Sequence, residues 1–200
     1  VLAEAPLDID GSTLENDAFK AEKGPALAAG EDSGHLVQYE IPSVINLNAF
    51  LNGVDLGNFQ PDNFMPGLPG ALDLVDGVVV EILTFIEFPE GLVTMGVNSD
   101  DGFKLEIGHI GHPDVMVAGS FNGGRLSNDT HFLMDVRAAG IYPARIVTFS
   151  QDGDASIELF TFNDAGESVL VNDTENGGLA AYRDGTVPPF VPPLKPATKV

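Results

Sequence analysis

The sequence predicts an all-β protein, an antiparallel β-sandwich, and three observations support this prediction. Apolar and polar residues alternate in short segments, as in Phe103, Leu105 and Ile107 around Lys104 and Glu106, which is typical of a strand with one buried face. Turn signals rich in Gly, Pro, Asn and Asp recur at intervals of about 8–12 residues. No segment has the pattern of a long helix, so a sandwich or barrel is favoured over a mixed fold.

The predicted strands follow one another from position 35 onwards. The first covers Leu36–Ile41 and is halted by Pro42, and a short element follows at Asn46–Gly53. The Pro- and Gly-rich stretch Asp55–Gly70 predicts a long loop that is functional or packed as a lid over one end of the core. The remaining predicted strands are Val78–Phe88, Leu92–Val97, Phe103–Ile107, Val115–Phe121, His131–Ala138, Ile141–Ser150, Ser156–Phe162, Ser168–Val171 and Leu179–Arg183.

This pattern divides the chain into three parts. Residues 1–34 are predicted to be an irregular arm or linker with one short helix around Leu14–Lys20, and residues 35–185 to be the β-sandwich. Residues 186–200 are predicted to be a stiff Pro-rich linker to a following domain. The sequence begins at Val1 without the features of a signal peptide, and we expect it to be a piece of a longer protein.

Composition excludes several classes of function. The chain has 30 acidic and 9 basic residues and a net charge of −21, so it lacks the Lys/Arg clusters that bind nucleic acid or anionic membranes. It contains no cysteine, which excludes disulfides, thiolate zinc sites, iron–sulfur clusters and cysteine nucleophiles. No apolar run approaches the ~20 residues of a membrane helix. The acidic charge permits divalent cation binding, and an acidic surface suited to an extracellular or saline habitat would explain it equally well.

An acidic turn, Asn98-Ser99-Asp100-Asp101-Gly102, separates two predicted strands. Adjacent carboxylates near a surface repel each other by about 1 kcal/mol. Calcium would relieve this repulsion because it binds six to eight oxygens from carboxylates and carbonyls. The alternative is that both side chains bond turn amides and face solvent.

A second acidic turn, Gln151-Asp152-Gly153-Asp154, lies between two later strands. If both turns meet at one end of the sandwich, they supply four carboxylates and one amide oxygen. That set could bind calcium and leave coordination positions open. Neighbouring hydroxyls of a sugar are neutral oxygen donors that could fill those positions.

Three segments carry a resemblance to a known family. They are Gly91-Leu-Val-Thr-Met-Gly-Val-Asn-Ser-Asp-Asp-Gly-Phe-Lys-Leu105, the later Ala139-Gly-Ile-Tyr-Pro-Ala-Arg145, and the Pro66-Gly-Leu-Pro69 loop. Together they resemble the PA14 domain family, from about Leu36 to Arg183. This resemblance implies a β-sandwich of the kind found in bacterial toxins, glycosidases, and fungal and bacterial adhesins.

The adhesin branch of the family implies a specific site. By resemblance, Asp100 and Asp101 would be joined by a cis peptide and would bind calcium, which in turn contacts sugar hydroxyls. The second turn would contribute Gln151, Asp152 and Asp154 as candidate metal ligands. Asn98, Ser99 and Gly153 would lie beside the bound sugar and complete the candidate ligand-binding set.

The sequence therefore predicts a calcium-dependent carbohydrate-binding module for adhesion, cut from a larger bacterial surface or secreted protein. Its partners would be a glycan or polysaccharide and the neighbouring domains of the parent protein, at an extracellular or cell-surface location. The alternative is a structural spacer or assembly subunit of a surface layer or filament, with the two arms as contacts. No enzyme is predicted: no Gly-x-Ser-x-Gly occurs, and His109 and His112 lie in a Gly-rich turn unsuited to a helical metal site.

Overall fold

A computed structural model describes residues 2–4, 40–49, 55–65, 78–108, 115–150 and 153–183, with only the backbone for 2–4 and 78. The predicted helix at Leu14–Lys20, the Pro66–Pro69 loop and the Pro-rich exit at 186–200 lie outside the described residues. So does most of the predicted strand Leu36–Ile41. Its last two residues are described and are not in a strand, so that part of the prediction is wrong.

Twelve strands occur in the described part of the chain. They are β1 (Leu2–Glu4), β2 (Asn46–Asn48), β3 (Asn63–Phe64), β4 (Val78–Phe88), β5 (Gly91–Asp100), β6 (Gly102–Ile107), β7 (Met116–Phe121), β8 (Asn128–Val136), β9 (Gly140–Ser150), β10 (Ser156–Phe162), β11 (Ser168–Leu170) and β12 (Ala181–Tyr182). The only helical element among these residues is a single 3-10 turn at Thr174–Asn176. Within the same residues, no helix is long and apolar enough to span a membrane.

The strands form two six-stranded sheets. Sheet 1 has the order β1-β4-β9-β6-β7, with β12 also on β4, and sheet 2 has the order β3-β2-β10-β5-β8, with β11 also on β10. Neighbouring strands are antiparallel except for the short β2–β3 pair, which is parallel. The predicted antiparallel β-sandwich is therefore confirmed.

The core lies between the two sheets and follows from the alternation in the sequence. The side chains at its centre are apolar and at most 1% exposed: Ile86, Phe88, Phe103, Leu105 and Ile146 from sheet 1, and Met95, Val97, Ile157 and Leu159 from sheet 2. Each side chain of this size stabilises the fold by about 1.5–3 kcal/mol when fully buried. The sandwich therefore has the core that its apolar composition predicted.

The strands on either side of the first acidic turn do not pair with each other. β5 pairs with β10 and β8 in sheet 2, whereas β6 pairs with β9 and β7 in sheet 1. Asp101 alone separates the two strands, so the chain crosses from one sheet to the other at the acidic turn and the two strands do not form a hairpin. The chain crosses again between β9 and β10.

Gly102, which follows this crossing, is required for a reason other than chain reversal. Its backbone has no left-handed φ angle, so a turn conformation is not what requires glycine here. A Cβ atom at this position would lie 2.2 Å from the ring of Phe149 and 2.9 Å from the backbone oxygen of Phe121. Only glycine allows β6 to lie this close to its neighbours.

Candidate metal and ligand site

The two acidic turns lie side by side at one end of the sandwich. Asp100, at the end of β5, is opposite Ser156 at the start of β10. The backbone N–H of Asp101 donates to the carbonyl oxygen of Phe149, near the end of β9, at 3.1 Å. The two crossings between the sheets therefore place the Asp100–Asp101 pair next to the turn that contains Asp154.

The two adjacent carboxylates are buried and held by a third segment, residues 122–127. Asp100 and Asp101 are each 7% exposed, and the peptide bond between them is cis. Asp101 Oδ1 accepts the backbone N–H of Arg125 at 2.9 Å. The Asp100 carboxylate accepts the backbone N–H of Ser127. These side chains are therefore fixed in position and do not belong to a solvated turn.

Negative charge accumulates at this end of the sandwich. Burial is the main cause that raises the pKa of Asp100 from 3.8 to about 6. The neighbouring carboxylates of Asp101 and Asp154 raise it further, while the Ser127 N–H and the Arg125 charge oppose them. The repulsion from Asp154 shows that the second turn acts on the same group as the first. A bound cation would lower the free energy of three ionised carboxylates this close together.

Arg125 fastens the third segment to the end of β5. Its Nε donates to the carbonyl oxygen of Ser99 at 3.1 Å, and its Nη2 donates to Ser99 Oγ at 2.7 Å. Its Nη1 donates to Thr130 Oγ1 at 2.9 Å, and its guanidinium lies 4.2 Å from the centre of the Phe121 ring. The sequence showed only a Gly-rich turn here, because Arg125 gains its role from contacts with residues 26 positions away.

Ser99 and Asn98, which were predicted to lie beside the ligand, are both buried. Ser99 is 0% exposed, and its hydroxyl donates to the carbonyl oxygen of Asp101 at 2.7 Å, so we assign it a positioning role instead of a direct ligand contact. Asn98 is also buried. It donates to Asp129 Oδ1 at 2.7 Å and accepts the hydroxyl of Ser127 at 2.5 Å. Both residues hold the end of β5, the strand that leads into the acidic turn.

The second turn is described only in part. Gln151 and Asp152 lie outside the described residues. Gly153 has a left-handed φ of +83°, and the backbone oxygen of Asp154 accepts the Ser150 hydroxyl at 3.1 Å. Within the described ranges, no group of three or more His, Cys, Asp or Glu side chains is arranged to hold a metal ion.

The described residues supply part of a calcium-type donor set. They are the two fixed carboxylates of Asp100 and Asp101 and the carboxylate of Asp154, which acts electrostatically on Asp100. These hard oxygen donors suit calcium, which accepts irregular geometry. A complete set would also draw on Gln151 and Asp152.

Comparisons with known proteins concern the fold. No protein-family model matches the sequence, and no curated protein is similar to it. Among solved structures, the chain is similar to a PA14 sugar-binding domain from an RTX adhesin (20% identity, TM-score 0.39, covering 46% of this chain and 50% of that one). It is also similar to the PA14 domain of the MpAFP antifreeze protein (14% identity, TM-score 0.42, covering 52% and 51%).

A third similarity covers more of the chain. An anti-sigma factor domain-containing protein aligns at 16% identity and a TM-score of 0.50, over 79% of this chain and 45% of that one. The chain thus spans about half the length of each of these proteins. Because all three identities are low and only this third TM-score reaches 0.50, the third similarity alone bears on architecture, and on nothing beyond it. In fold, this chain is an antiparallel β-sandwich.

Proposed function

We propose that this chain is a non-enzymatic, calcium-dependent carbohydrate-binding module of a larger bacterial surface or secreted protein. The observation that carries the proposal is the pair of buried carboxylates, Asp100 and Asp101, fixed at the end of the sandwich beside a second acidic turn. Their oxygens are oriented by backbone N–H groups of Arg125 and Ser127. The resemblance of the surrounding sequence to PA14 adhesin motifs supports the carbohydrate as ligand.

In this proposal Asp100 and Asp101 are the principal calcium ligands. Asp154, together with Gln151 and Asp152 of the second turn, would contribute the remaining protein oxygens. Calcium, when bound, supplies open coordination positions for two neighbouring hydroxyls of a sugar. The chain itself fixes the carboxylates through the third segment, so little rearrangement is needed when the ion binds.

Leu126 offers an apolar contact at the edge of this site. It is 86% exposed, although Arg125 and Ser127 on either side of it are both tied to the carboxylate pair. A fixed and exposed leucine beside a cation site suits the apolar C–H face of a sugar ring. It would take the place of the aromatic residues that are absent from the second turn.

A calcium titration tests the metal half of the proposal. Binding to the folded state alone stabilises it by RT ln(1 + [Ca]/Kd), about 2.7 kcal/mol at 100 times Kd. We expect millimolar calcium to raise the melting temperature of the wild-type chain and Asp101→Asn to abolish most of that rise. Asp164→Asn removes an exposed carboxylate in the β10–β11 turn and should leave the rise unchanged. Equal responses of both variants would contradict the assignment.

A glycan array tests the sugar half. We expect binding in calcium and none in chelator, and we expect Leu126→Ala to weaken glycan binding several-fold without changing calcium affinity. Leu92→Ala is the matched control, because Leu92 is 71% exposed but lies at the opposite end of β5 from Asp100. A calcium-dependent melting shift with a flat array would favour the spacer function instead. No shift and a flat array would contradict both halves.

A further inference from the structure

The outer face of sheet 2 carries a second group of buried polar residues. On β2 and β10, Asn46 is opposite Glu158 and Asn48 is opposite Ser156. All four are at most 3% exposed, although their side chains point away from the core that Leu47 and Ile157 face. Polar side chains on an outer face are this buried only when another segment covers them.

That segment is residues 55–62, which precede β3 and which we call the cover segment. The backbone N–H groups of Asn58 and Phe59 donate to the Glu158 carboxylate at 2.9 and 3.0 Å. Asp62 Oδ2 accepts Asn48 Nδ2 at 2.9 Å and the backbone N–H of Leu56 at 2.7 Å. Residues 55–62 of the predicted long loop therefore pack on the outer face of sheet 2, whereas the next two residues form β3 at the edge of that sheet.

Asn46 also binds the cover segment and brings its side chain close to Asp62. Its Nδ2 donates to the carbonyl oxygens of Phe59 at 3.1 Å and Pro61 at 3.2 Å. Pro61 directly precedes Asp62, whose Oδ2 lies on Asn48. Ser156, opposite Asn48, is the next side chain across the sheet.

Three oxygen atoms in this group have no hydrogen-bond partner within the described ranges. They are Asp62 Oδ1, Asn46 Oδ1 and Ser156 Oγ, and their residues are 8%, 3% and 2% exposed. A buried polar group without a partner costs about 1–3 kcal/mol. All three are oxygen atoms that could coordinate a cation, and they belong to neighbouring residues of β2, β10 and the cover segment.

The charge around these oxygens is negative. Asp62 and Glu158 both accept backbone N–H groups of the cover segment, so two carboxylates lie beneath the same few residues. Among the described residues, neither carboxylate forms an ion pair with Lys or Arg, and their hydrogen bonds come only from amides. The ligand that suits unpartnered oxygens in a negative environment is a hard cation.

We propose that Asp62, Asn46 and Ser156 bind a calcium-class divalent cation beneath the cover segment. Its ligands are distinct from Asp100 and Asp101, although Ser156 lies directly opposite Asp100 on the neighbouring strand. The described residues supply one carboxylate, one amide oxygen and one hydroxyl, and water would have to fill the remaining positions of the six to eight that calcium takes. Glu158 is a neighbouring carboxyl group that calcium would favour in its ionised form. The cation would join the cover segment to β2 and β10. Its role would be to hold this segment on the sheet, independently of any sugar.

The test measures calcium binding in a chain that lacks the first site. Calcium bound per chain is measured by equilibrium dialysis, and the melting temperature is followed in calcium and in magnesium at matched ionic strength. We expect two ions in the wild type, one in Asp101→Asn, one in Asp62→Asn and none in the double variant. Asp164→Asn, which loses the same charge elsewhere, should still bind two.

The outcomes separate the two proposed sites. One ion in the wild type that Asp101→Asn removes, but Asp62→Asn does not, would overturn this inference and leave the proposed function standing. One ion that only Asp62→Asn removes would do the reverse, and no ion in the wild type would overturn both.

Ser156→Ala is a milder second test in case Asp62→Asn fails to fold, because it removes one hydroxyl and no charge. In the Asp101→Asn background it should weaken the remaining calcium response several-fold. If an ordered water alone fills this place, Ser156→Ala would leave the calcium response unchanged, and the inference would be overturned.

Discussion

At the residue scale, the candidate site is defined by a few long-range contacts around Asp100 and Asp101. The guanidinium of Arg125 donates to two oxygens of Ser99, the backbone carbonyl oxygen and the side-chain hydroxyl oxygen. Its own backbone N–H holds Asp101. One residue thereby links the third segment, the end of β5 and the carboxylate pair.

The pKa of Asp100 makes calcium binding depend on pH. Burial and the charges of Asp101 and Asp154 raise that pKa to about 6, so protons compete with the cation below pH 6. We expect the calcium-induced rise in melting temperature to be large at pH 7.5 and to shrink strongly at pH 5. Melting curves with and without calcium across this range measure the effect.

The sign of the effect follows from linkage. Without calcium, the raised pKa means that Asp100 contributes stability below pH 3.8 which is lost as the pH rises through 6. Calcium binding favours the ionised form and so reverses that loss at neutral pH. A calcium response of equal size at pH 5 and pH 7.5 would contradict the assignment of Asp100 as a ligand.

At the element scale, the packing of β5 against β10 depends on one glycine. Gly96 lies opposite Phe160, and a Cβ atom at Gly96 would approach the Phe160 ring to 2.2 Å. The ring therefore lies over the glycine and fills the space that a side chain would take. This contact helps to hold the two central strands of sheet 2 in register.

We expect Gly96→Ala to lower the free energy of unfolding by about 1–3 kcal/mol, the usual cost of overpacking. The double variant Gly96→Ala with Phe160→Leu should recover part of this loss, so the two changes should be non-additive. Chemical denaturation measures all three variants. Thr94→Ala, an exposed change two residues away on the same strand, is the control. Strict additivity would show that the ring does not occupy this space.

Sequence reasoning predicted the strands better than their partners. β4 and β10 have the predicted bounds because strongly apolar runs end there at Pro, Gly or Asn. Alternation shows which residues share a face, but it carries no information on which strand lies alongside. The separate sheets of β5 and β6 could therefore not be predicted.

The same limit applies to the candidate site. Asp100 and Asp101 stand out in the sequence as an unusual pair. The backbone amides that hold them belong to residues 24 or more positions away, and no local pattern marks these residues. The buried outer face under the cover segment was missed for the same reason, because β2 and β10 are distant in sequence and pair only in the fold.

At the scale of the whole molecule, excess negative charge sets the conditions under which the fold is stable. The chain carries a net charge of −21, which disfavours a compact state by self-repulsion. Two buried acids, Asp100 and Glu158, lie on the outer face of sheet 2, and the pKa of each is raised. Stability without divalent cations should therefore decline as the pH rises toward neutrality.

Glu158 allows its part of this decline to be measured separately. Burial is the main cause that raises its pKa from 4.5 to about 7, with smaller contributions from Asp62 and Asp129, against the opposing N–H bonds of Asn58 and Phe59. A raised pKa favours the protonated folded form, so the stability that this group contributes below pH 4.5 is lost as the pH rises through 7. At 1.36 kcal/mol per pKa unit, the loss amounts to roughly 3 kcal/mol.

We expect the free energy of unfolding of the wild-type chain, measured by urea denaturation in chelator, to fall between pH 4.5 and pH 8. In Glu158→Gln the fall should be smaller by roughly that amount, because glutamine does not titrate. Glu175→Gln, an exposed change in the 3-10 turn, should leave the wild-type profile intact. If the free energy of unfolding changes with pH in the same way in all three chains, the pKa of Glu158 is not raised in the folded state. The decline would then have to come from Asp100 and the surface charge.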